Sequence, residues 1–579
     1  MKNNEGYKKD FSFLKEQYMV NRRKFLKHSV LTTGAILSAG MLRASALKNS
    51  GELLKEYTIL DERLKPFYHG VASGDPLSDQ VIIWTKITPE QEDSNVLVKW
   101  MIAKDENLSQ VVQTGEITTN APVDFTVKID VKGLTPSTTY YYQFVSDTGK
   151  SPVGKTKTTP SDTYENLQFA VVSCSNYSAG YYNSFGRIAK RKNLNAVIHL
   201  GDYIYEGMER KFDKENNPPF DKFEATHFVM NKEWWLHYYR KRYALSRLDV
   251  DLRAAHQSHP FIAIWDDHEI ADNTYKDGAN SHNPYSDGEW EVRKNAAKQA
   301  YAEWLPIRGD ASSIYRTIRF GKLMELVMLD TRLEGRDKQI YDSSSSALLA
   351  RDRTLLGSEQ KQWLLNKLDT SPCLWKVIGN QVIFSEINVK WAAFGGQFAD
   401  KVKVFESTTL DYWEGYPVER DELINHISKN KLNNVVVLSA SMHCAFAFDV
   451  TKRATKHSRK GEASTYDPAT GKGSVAVEFA TPSINSENFD EKIGTFYATA
   501  FQSYLNKKLP MPLGYNPNPH IKFVDLQRHG YYILKISKER AEAEFYFADS
   551  ILTRSTNEEP GEVWHTKAGN NRLERSKKV

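Results

Sequence analysis

Cysteine is scarce in this chain: Cys174, Cys373 and Cys444 are all there are in 579 residues. So few thiols, and an odd number, build no disulfide framework, and each is either core filler or a ligand. Long apolar runs are scarce too. VLTTGAILSAGML, Val30 to Leu42, falls short of the roughly 20 apolar residues that a bilayer core of about 30 Å demands, which argues against a stable membrane span. A large charge of one sign is missing outside the first residues. The formal net charge is +5, yet residues 1–46 hold nine Lys and Arg against three acids, so the rest of the chain is close to neutral. A near-neutral body argues against nucleic acid as a partner held by a basic surface. No repeat of fixed period is present, which excludes a solenoid. What remains is globular composition, 26% charged and 40% hydrophobic, over a length that suits one large domain and one smaller.

Residues 1–46 read as an export leader. NRRKFLK from Asn21 is a charged segment, the short apolar run follows, and Ala44-Ser45-Ala46 supplies a small-residue cleavage signature. Arg22 and Arg23, followed by Phe25 and Leu26, resemble a twin-arginine signal, which is an address read by a receptor and not an anchor. The expectation is export to a periplasmic or extracellular location, with the twin-arginine export machinery as a partner. Such substrates fold before export, often with a cofactor loaded, so a cofactor is expected. Residues 47–65 read as a linker.

From 66 to 160 short β-rich segments recur, among them VIIWTKIT from Val81, VLVKWMIA from Val96 and TYYYQFVS from Thr139, separated by turn clusters such as GLTPST. This spacing predicts a small β-sandwich. Gly149 to Thr156 has the spacing of a phosphate-binding P-loop, but Pro160 and a run of threonines follow in place of a helix, so a hairpin is expected there. From 165 to 552 apolar strands alternate with helical stretches: FAVVSC, LNAVIHLGD, FIAIWDDHE, LMELVMLD, WKVIGNQ and VVVLSAS. That alternation predicts an α/β domain with its chemistry at the strand ends. Residues 452–472 read as an exposed loop and 553–579 as a polar tail.

The strand ends present Cys174 (VVSCSN), Asp202 and Tyr205 (HLGDYIYEG), Asp266, Asp267, His268, Glu269, Asp272 and Asn273 (IWDDHEIADN), Asn380 (VIGNQ) and His443 (LSASMH). Carboxylate, imidazole, amide, phenol and thiol groups delivered to one crevice suit a metal centre, since hard cations take oxygen and a redox or Lewis-acid metal takes nitrogen, phenolate or thiolate.

The order strand-GD, strand-DDHE, strand-GNQ, strand-xxH resembles that of the calcineurin-like metallophosphoesterases. The details are similar to the PhoD-like alkaline phosphatases among them: HGVASGDPLSDQVIIWTK from His69, AHQSHPFIAIWDDHEIADN, RTLLGSEQKQWL from Arg353, VEFATPSINS from Val477 and NPHIKFVDLQRHGY from Asn518. The match runs over about 66–550. The resemblance implies an α/β (α+β) double-sheet sandwich flanked by helices, preceded by a small all-β immunoglobulin- or fibronectin-like sandwich. It implies a mixed iron and calcium centre with Cys174, Asp202 and Tyr205 as ligands, Asp202 bridging, and Asp267, Asn273 and His443 as further ligands. Asp267 and His268 would be the catalytic pair, His268 contacting phosphate or the leaving group. Asp266 and Glu269 are read as holding that histidine in one tautomer. Cys373 and Cys444 remain core filler.

The implied reaction is hydrolysis of a phosphomonoester or phosphodiester by in-line attack of a metal-bound hydroxide. Arg187, Arg293 and Arg332 are candidate phosphate contacts, with solvation at the surface the blander reading of each. One departure stands out. Relatives read SGDVH at the late strand, and this chain reads SASMH, so Ser441 occupies the place of a ligand aspartate. Two alternatives follow: a phospholipase-D-like phosphodiesterase, and a non-catalytic exported binding protein with an impaired metal site. A monomer is expected.

Overall fold

Three apolar strands from the first part of the α/β stretch set the architecture. Leu167–Val172, Ala196–His199 and Pro260–Ala263 lie side by side and parallel, buried along almost their whole length. A strand buried on both faces reads as a continuous apolar run, which is how FAVVSC and LNAVIHLGD read. The structure, a computed structural model, describes residues 60–91, 94–207, 230–395, 399–458, 462–511 and 513–576. The leader and most of the linker lie outside the described residues. No helix among the described residues is long and apolar enough to cross a membrane.

The three strands sit inside a ten-stranded sheet. Its spatial order is Glu574–Arg575, Glu558–Lys567, Arg540–Ala548, Gly530–Ile536, Leu167–Val172, Ala196–His199, Pro260–Ala263, Val71–Gly74, Gln80–Lys86 and Thr126–Lys132. A seven-stranded sheet faces it, in the order Arg316–Phe320, Met324–Met328, Trp375–Gly379, Val435–Ser439, Ser474–Ala480, Ala445–Thr451 and Ile521–Asp525. Side chains of the two sheets interlock in one core. Phe169 meets Phe320 edge to face at 4.9 Å, and Phe523 lies 4.9 Å from Phe545. The double sheet with helices is as expected.

Two boundaries differ from expectation. Residues 66–160 do form a sandwich with its own core, including Phe67, Val81, Val98, Tyr142 and Phe144. One of its layers is the five-stranded sheet built on Val96–Ala103 and Thr139–Ser146. The other layer is no separate sheet: Val71–Gly74 pairs in parallel with Pro260–Ala263 and so extends the large one. The polar tail is also corrected. Glu558–Lys567 pairs with Arg540–Ala548, and Glu574–Arg575 closes the sheet edge. Its polar residues concealed a strand because most of its side chains are exposed or half-buried, so only Trp564 and its neighbours carry the apolar signal. The P-loop look-alike is two strands, Gly149–Lys150 and Gly154–Lys157, as the hairpin reading requires. The loop at 452–472 is less exposed than expected, with Arg453, Ala454 and Tyr466 buried.

Two of the distinctive motifs serve the scaffold. In VEFATPS, the buried Glu478 accepts from the backbone of Phe384 and Ser385, both at 2.8 Å, and from Ser439 Oγ at 2.5 Å, fixing the loop after Trp375–Gly379. In RTLLGSEQ, Gln360 exchanges two hydrogen bonds with the backbone of Asp330, at 2.7 and 2.8 Å, and so ties the helix Ser358–Thr370 to the sheet. The Phe169→Ala variant, which empties the contact between the sheets, is expected to lose about 3–5 kcal/mol of stability, read from the shift in denaturant midpoint.

Candidate functional site

Asp202 is where the site begins. It follows the strand Ala196–His199 through Gly201, whose φ is +102 and whose hydrogen faces the backbone of Asp266; a Cβ there would lie 2.5 Å from Asp266 N. Only glycine fits. Asp202 itself is left-handed, φ +56, and so are Cys174, Asn273, Ser441 and His443, at φ between 54 and 63. A left-handed conformation is strained for a residue bearing a side chain, at about 1–3 kcal/mol each, and such residues gather where function demands a particular aim. The loops are laced together. Cys174 N donates to Gly201 O at 3.1 Å, and Ser175 N to Asp202 O at 2.8 Å.

Two groups of ligand atoms share Asp202. Cys174, Asp202 and His443 bring one donor each within 4.8 Å of one another, and so do Asp202, Asp267 and His268. Tyr205 joins the first group: its Oη donates to Asp202 Oδ2 at 3.0 Å and lies 3.1 Å from His443 Nε2, while Cys174 Sγ is 3.4 Å from the same Asp202 Oδ2. The tautomer of His443 is set by the chain. Its Nδ1 lies 2.6 Å from the carbonyl of Glu487, which can only accept, so Nδ1 carries the proton and Nε2 presents a lone pair to the cluster.

Electrostatics give the same account. Burial, with the Asp202 charge added, pushes the Cys174 thiol well up, and the same two causes push up the Tyr205 phenol. Burial also pushes Asp202 well up, although His268 opposes it. Burial holds His443 well down, and hence neutral. A buried thiol, phenol and carboxyl with a neutral imidazole lone pair hold protons until a cation replaces them. The set offers sulfur, oxygen and nitrogen together, which fits a transition metal.

His268 is oriented differently from expectation. Its Nδ1 donates to Glu206 Oε2 at 2.7 Å, and Glu206 also accepts from Asp272 N at 2.6 Å. Burial opposes a charge on His268, but Glu206, Asp267 and Asp202 overcome it and raise the imidazole well above its ordinary value. Glu206 is correspondingly lowered to about 2, against its burial. With Nδ1 occupied, Nε2 is the ring nitrogen left for substrate. Asp266 and Glu269, expected to hold this ring, do neither. Asp266 pairs with Arg332, and Glu269 accepts from the backbone N–H groups of Asp202, Tyr203 and Asp266, pinning both catalytic loops. Burial raises Glu269 to about 8 in spite of those three donors.

Arg332 is fully buried and spent on carboxylates: Asp266, Asp411 at 3.0 Å and Asp267 at 3.4 Å. It therefore positions Asp267 from behind and is not presented to a phosphate. Arg293 is buried against Tyr239, Ser281 and Asp287, and Arg187 pairs with Glu558 at 3.4 Å. None of the three is the phosphate contact that the sequence suggested. Asn273 reaches the centre through its backbone, which donates to Asp267 Oδ2 at 2.6 Å, while its side-chain nitrogen turns to Asp272. Asn380 is not brought to the site, since Trp413 Nε1 and Val382 O take both ends of its amide. Cys373 and Cys444 are buried and belong to neither donor group, their thiols lying against the carbonyls of Gly321 and Leu526. Ser441 stands two residues before His443 and adds no anion.

Sequence reasoning missed Glu206, Asp411 and the Glu487 carbonyl. Glu206 was within reach: it lies in GDYIYEG, one position beyond a candidate ligand. Asp411 carried no motif at all.

Comparison with known proteins gives a consistent result. A family model described as PhoD-like phosphatase matches residues 169–545, and one for the PhoD-like phosphatase N-terminal domain matches 56–160. The chain is 34% identical over 473 residues to alkaline phosphatase D of Bacillus subtilis (strain 168), covering 77% of this chain and 76% of that protein. A solved structure of PhoD superposes with a TM-score of 0.71 at 30% identity, covering 90% of this chain and 94% of that one.

Two outcomes follow from this geometry. The Glu206→Gln variant should keep its fold and lose about 10–100-fold in kcat with little change in KM, because it releases the ring and not the ligands. Raised pKa values on Cys174 and Tyr205 mean that protons compete with a cation, so bound metal should fall as pH is lowered from 8 to 5 and return on raising it, measured by elemental analysis after dialysis.

Proposed function

The chain belongs to the PhoD-like phosphatase family and is a phosphoric ester hydrolase; from that premise we propose an exported, metal-dependent phosphatase of the alkaline phosphatase D type, within the calcineurin-like metallophosphoesterases. Family membership sets aside the non-catalytic binding protein. The observation that carries the metal reading is that one carboxylate, Asp202, belongs to both donor groups. Two cations a few ångströms apart need an anionic bridge, and a residue in a strained conformation at the junction is placed for that task.

Cys174, Asp202, Tyr205 and His443 would hold the first ion, for which iron suits the thiolate and phenolate. Asp202, Asp267 and the amide oxygen of Asn273 would hold the second, an all-oxygen set of the kind calcium takes. When bound, the pair supplies Lewis-acid neutralisation of the phosphoryl oxygens and activation of the attacking water. The chain's own part is to aim and protonate. His268, kept charged by Glu206, holds a proton on Nε2 for the oxygen of the departing alcohol. Arg332 keeps Asp267 ionised and in place. Gly201 and Glu269 hold the two loops at the spacing that lets Asp202 serve both groups.

Because Ser441 brings no charge where relatives carry a ligand aspartate, one of the two metal positions is held by less negative charge. The twin-arginine leader supports export, and the substrate class is a phosphomonoester or a phosphodiester.

The test pairs elemental analysis with p-nitrophenyl phosphate and bis(p-nitrophenyl) phosphate. Hydrolysis of at least one, abolished by chelation, is the expected result, with Cys174→Ser depleting the transition metal. A preparation that holds no transition metal and cleaves neither ester would sink the reading. Ser441→Asp should raise metal occupancy. His268→Asn should slow phenyl phosphate about 10²–10⁴-fold and p-nitrophenyl phosphate far less, since a good leaving group needs no proton.

A further inference from the structure

A solvent-facing surface beside the metal centre has the composition of a lipid-docking face. The helix Thr495–Tyr504 buries Ala498 and Phe501 and turns other apolar groups outward: Phe496 is 75% exposed and Tyr504 41%. Met511, in the loop that follows, is 82% exposed. A second helix, Ala399–Thr409, belongs to the same unit. Its Phe405 stacks on Phe501 at 6.1 Å, and the next residue back, Val404, is exposed. Trp391 lies 6.5 Å from Tyr504 and completes the aromatic floor. Nothing in water favours a phenylalanine or a methionine held so far out.

Lys403, Lys492, Lys507 and Lys508 are exposed on the same segments. Among the described residues 402–409 and 489–511 the exposed acid is Glu491, and its carboxylate is engaged in capping its own helix at Asn488 N, 2.7 Å away. Protruding aromatic and aliphatic groups flanked by lysines complement a surface with an apolar interior and anionic headgroups. The same lysines argue against a second copy of the chain, because a two-fold contact would bring like charges together.

The chain joins the face to the candidate site. Glu487, whose carbonyl fixes His443, and Asn488, which caps the helix Phe489–Ile493, lead directly into it. Phe489 in turn packs on Phe405 at 4.7 Å.

We propose that this face, centred on Phe496, Tyr504 and Met511 with Lys507 and Lys508, docks the protein peripherally on an anionic lipid surface. Docking would set the metal centre beside phosphoesters carried on that surface; this consequence rests on the phosphatase reading, whereas the docking does not.

An environment-sensitive fluorophore on Phe496→Cys in the full chain tests the contact where it is claimed, without interference from the basic leader. The three native cysteines are buried, so the label goes to position 496. Phosphatidylglycerol vesicles should shift its emission to the blue, phosphatidylcholine vesicles should not, and added salt should reverse the shift. The same label on Tyr285→Cys, at a residue 94% exposed on a different segment, should stay unshifted. Adding Lys507→Glu and Lys508→Glu to the labelled chain should weaken the vesicle dependence about tenfold. The same pair in the unlabelled chain should leave hydrolysis of p-nitrophenyl phosphate unchanged. No shift with phosphatidylglycerol, a shift equal at both labelled positions, or indifference to the charge reversals would overturn the proposal. A shift without vesicles that grows with protein concentration would give the face to a second copy instead. A parent chain that hydrolyses neither p-nitrophenyl phosphate nor bis(p-nitrophenyl) phosphate would defeat the phosphatase reading and leave the docking result standing.

Discussion

One carboxylate shared by two donor groups is the constraint on which the rest of the site depends. Asp202 can face Cys174, Tyr205 and His443 on one side and Asp267 on the other only if its backbone turns left-handed directly after a buried strand. That turn needs Gly201 packed on Asp266, and it needs a brace. Glu269 supplies the brace by taking three backbone N–H groups from the two loops that must stay in register. The loops are thereby held before any ion arrives, which is the condition for a preformed centre.

The buried charges divide into two kinds. Asp266, Asp411 and Glu206 have cationic partners in the chain itself, Arg332, Arg336 and His268, so their charges are compensated by the fold. Asp202, Cys174 and Tyr205 crowd one another beside a neutral His443, and although His268 partly offsets Asp202, burial drives all three toward their protonated forms. A buried anion without a partner is costly. The difference separates groups that shape the site from groups that await a cation, although both kinds are buried acidic groups.

Much of this was legible in the sequence. The apolar strands and the polar residues at their ends stood out because a parallel sheet covered on both faces leaves no polar alternation to confuse the pattern. GDYIYEG, DDHE and the late histidine marked the ligand-bearing loops. The strand Glu558–Lys567 was hidden because most of its side chains are exposed or half-buried. Asp411 was hidden because it approaches Arg332 from 79 residues away, by a path that no local pattern encodes. Asp266 and Glu269 were assigned a role beside His268 from adjacency alone, and adjacency in a tight turn sends successive side chains in different directions.

By itself the sequence determined the residue types: which strands are apolar enough to be buried, which turns require glycine, and which acids, thiol, phenol and imidazoles stand at strand ends. Tertiary structure decided the pairings. Glu206 rather than Glu269 orients His268, Arg332 serves aspartates rather than phosphate, and the N-terminal layer at Val71–Gly74 extends the very sheet that carries DDHE. The physical reason is that a hydrogen bond or ion pair is made by distance and direction in space, and a chain folded into two facing sheets brings together groups whose separation in sequence says nothing of either.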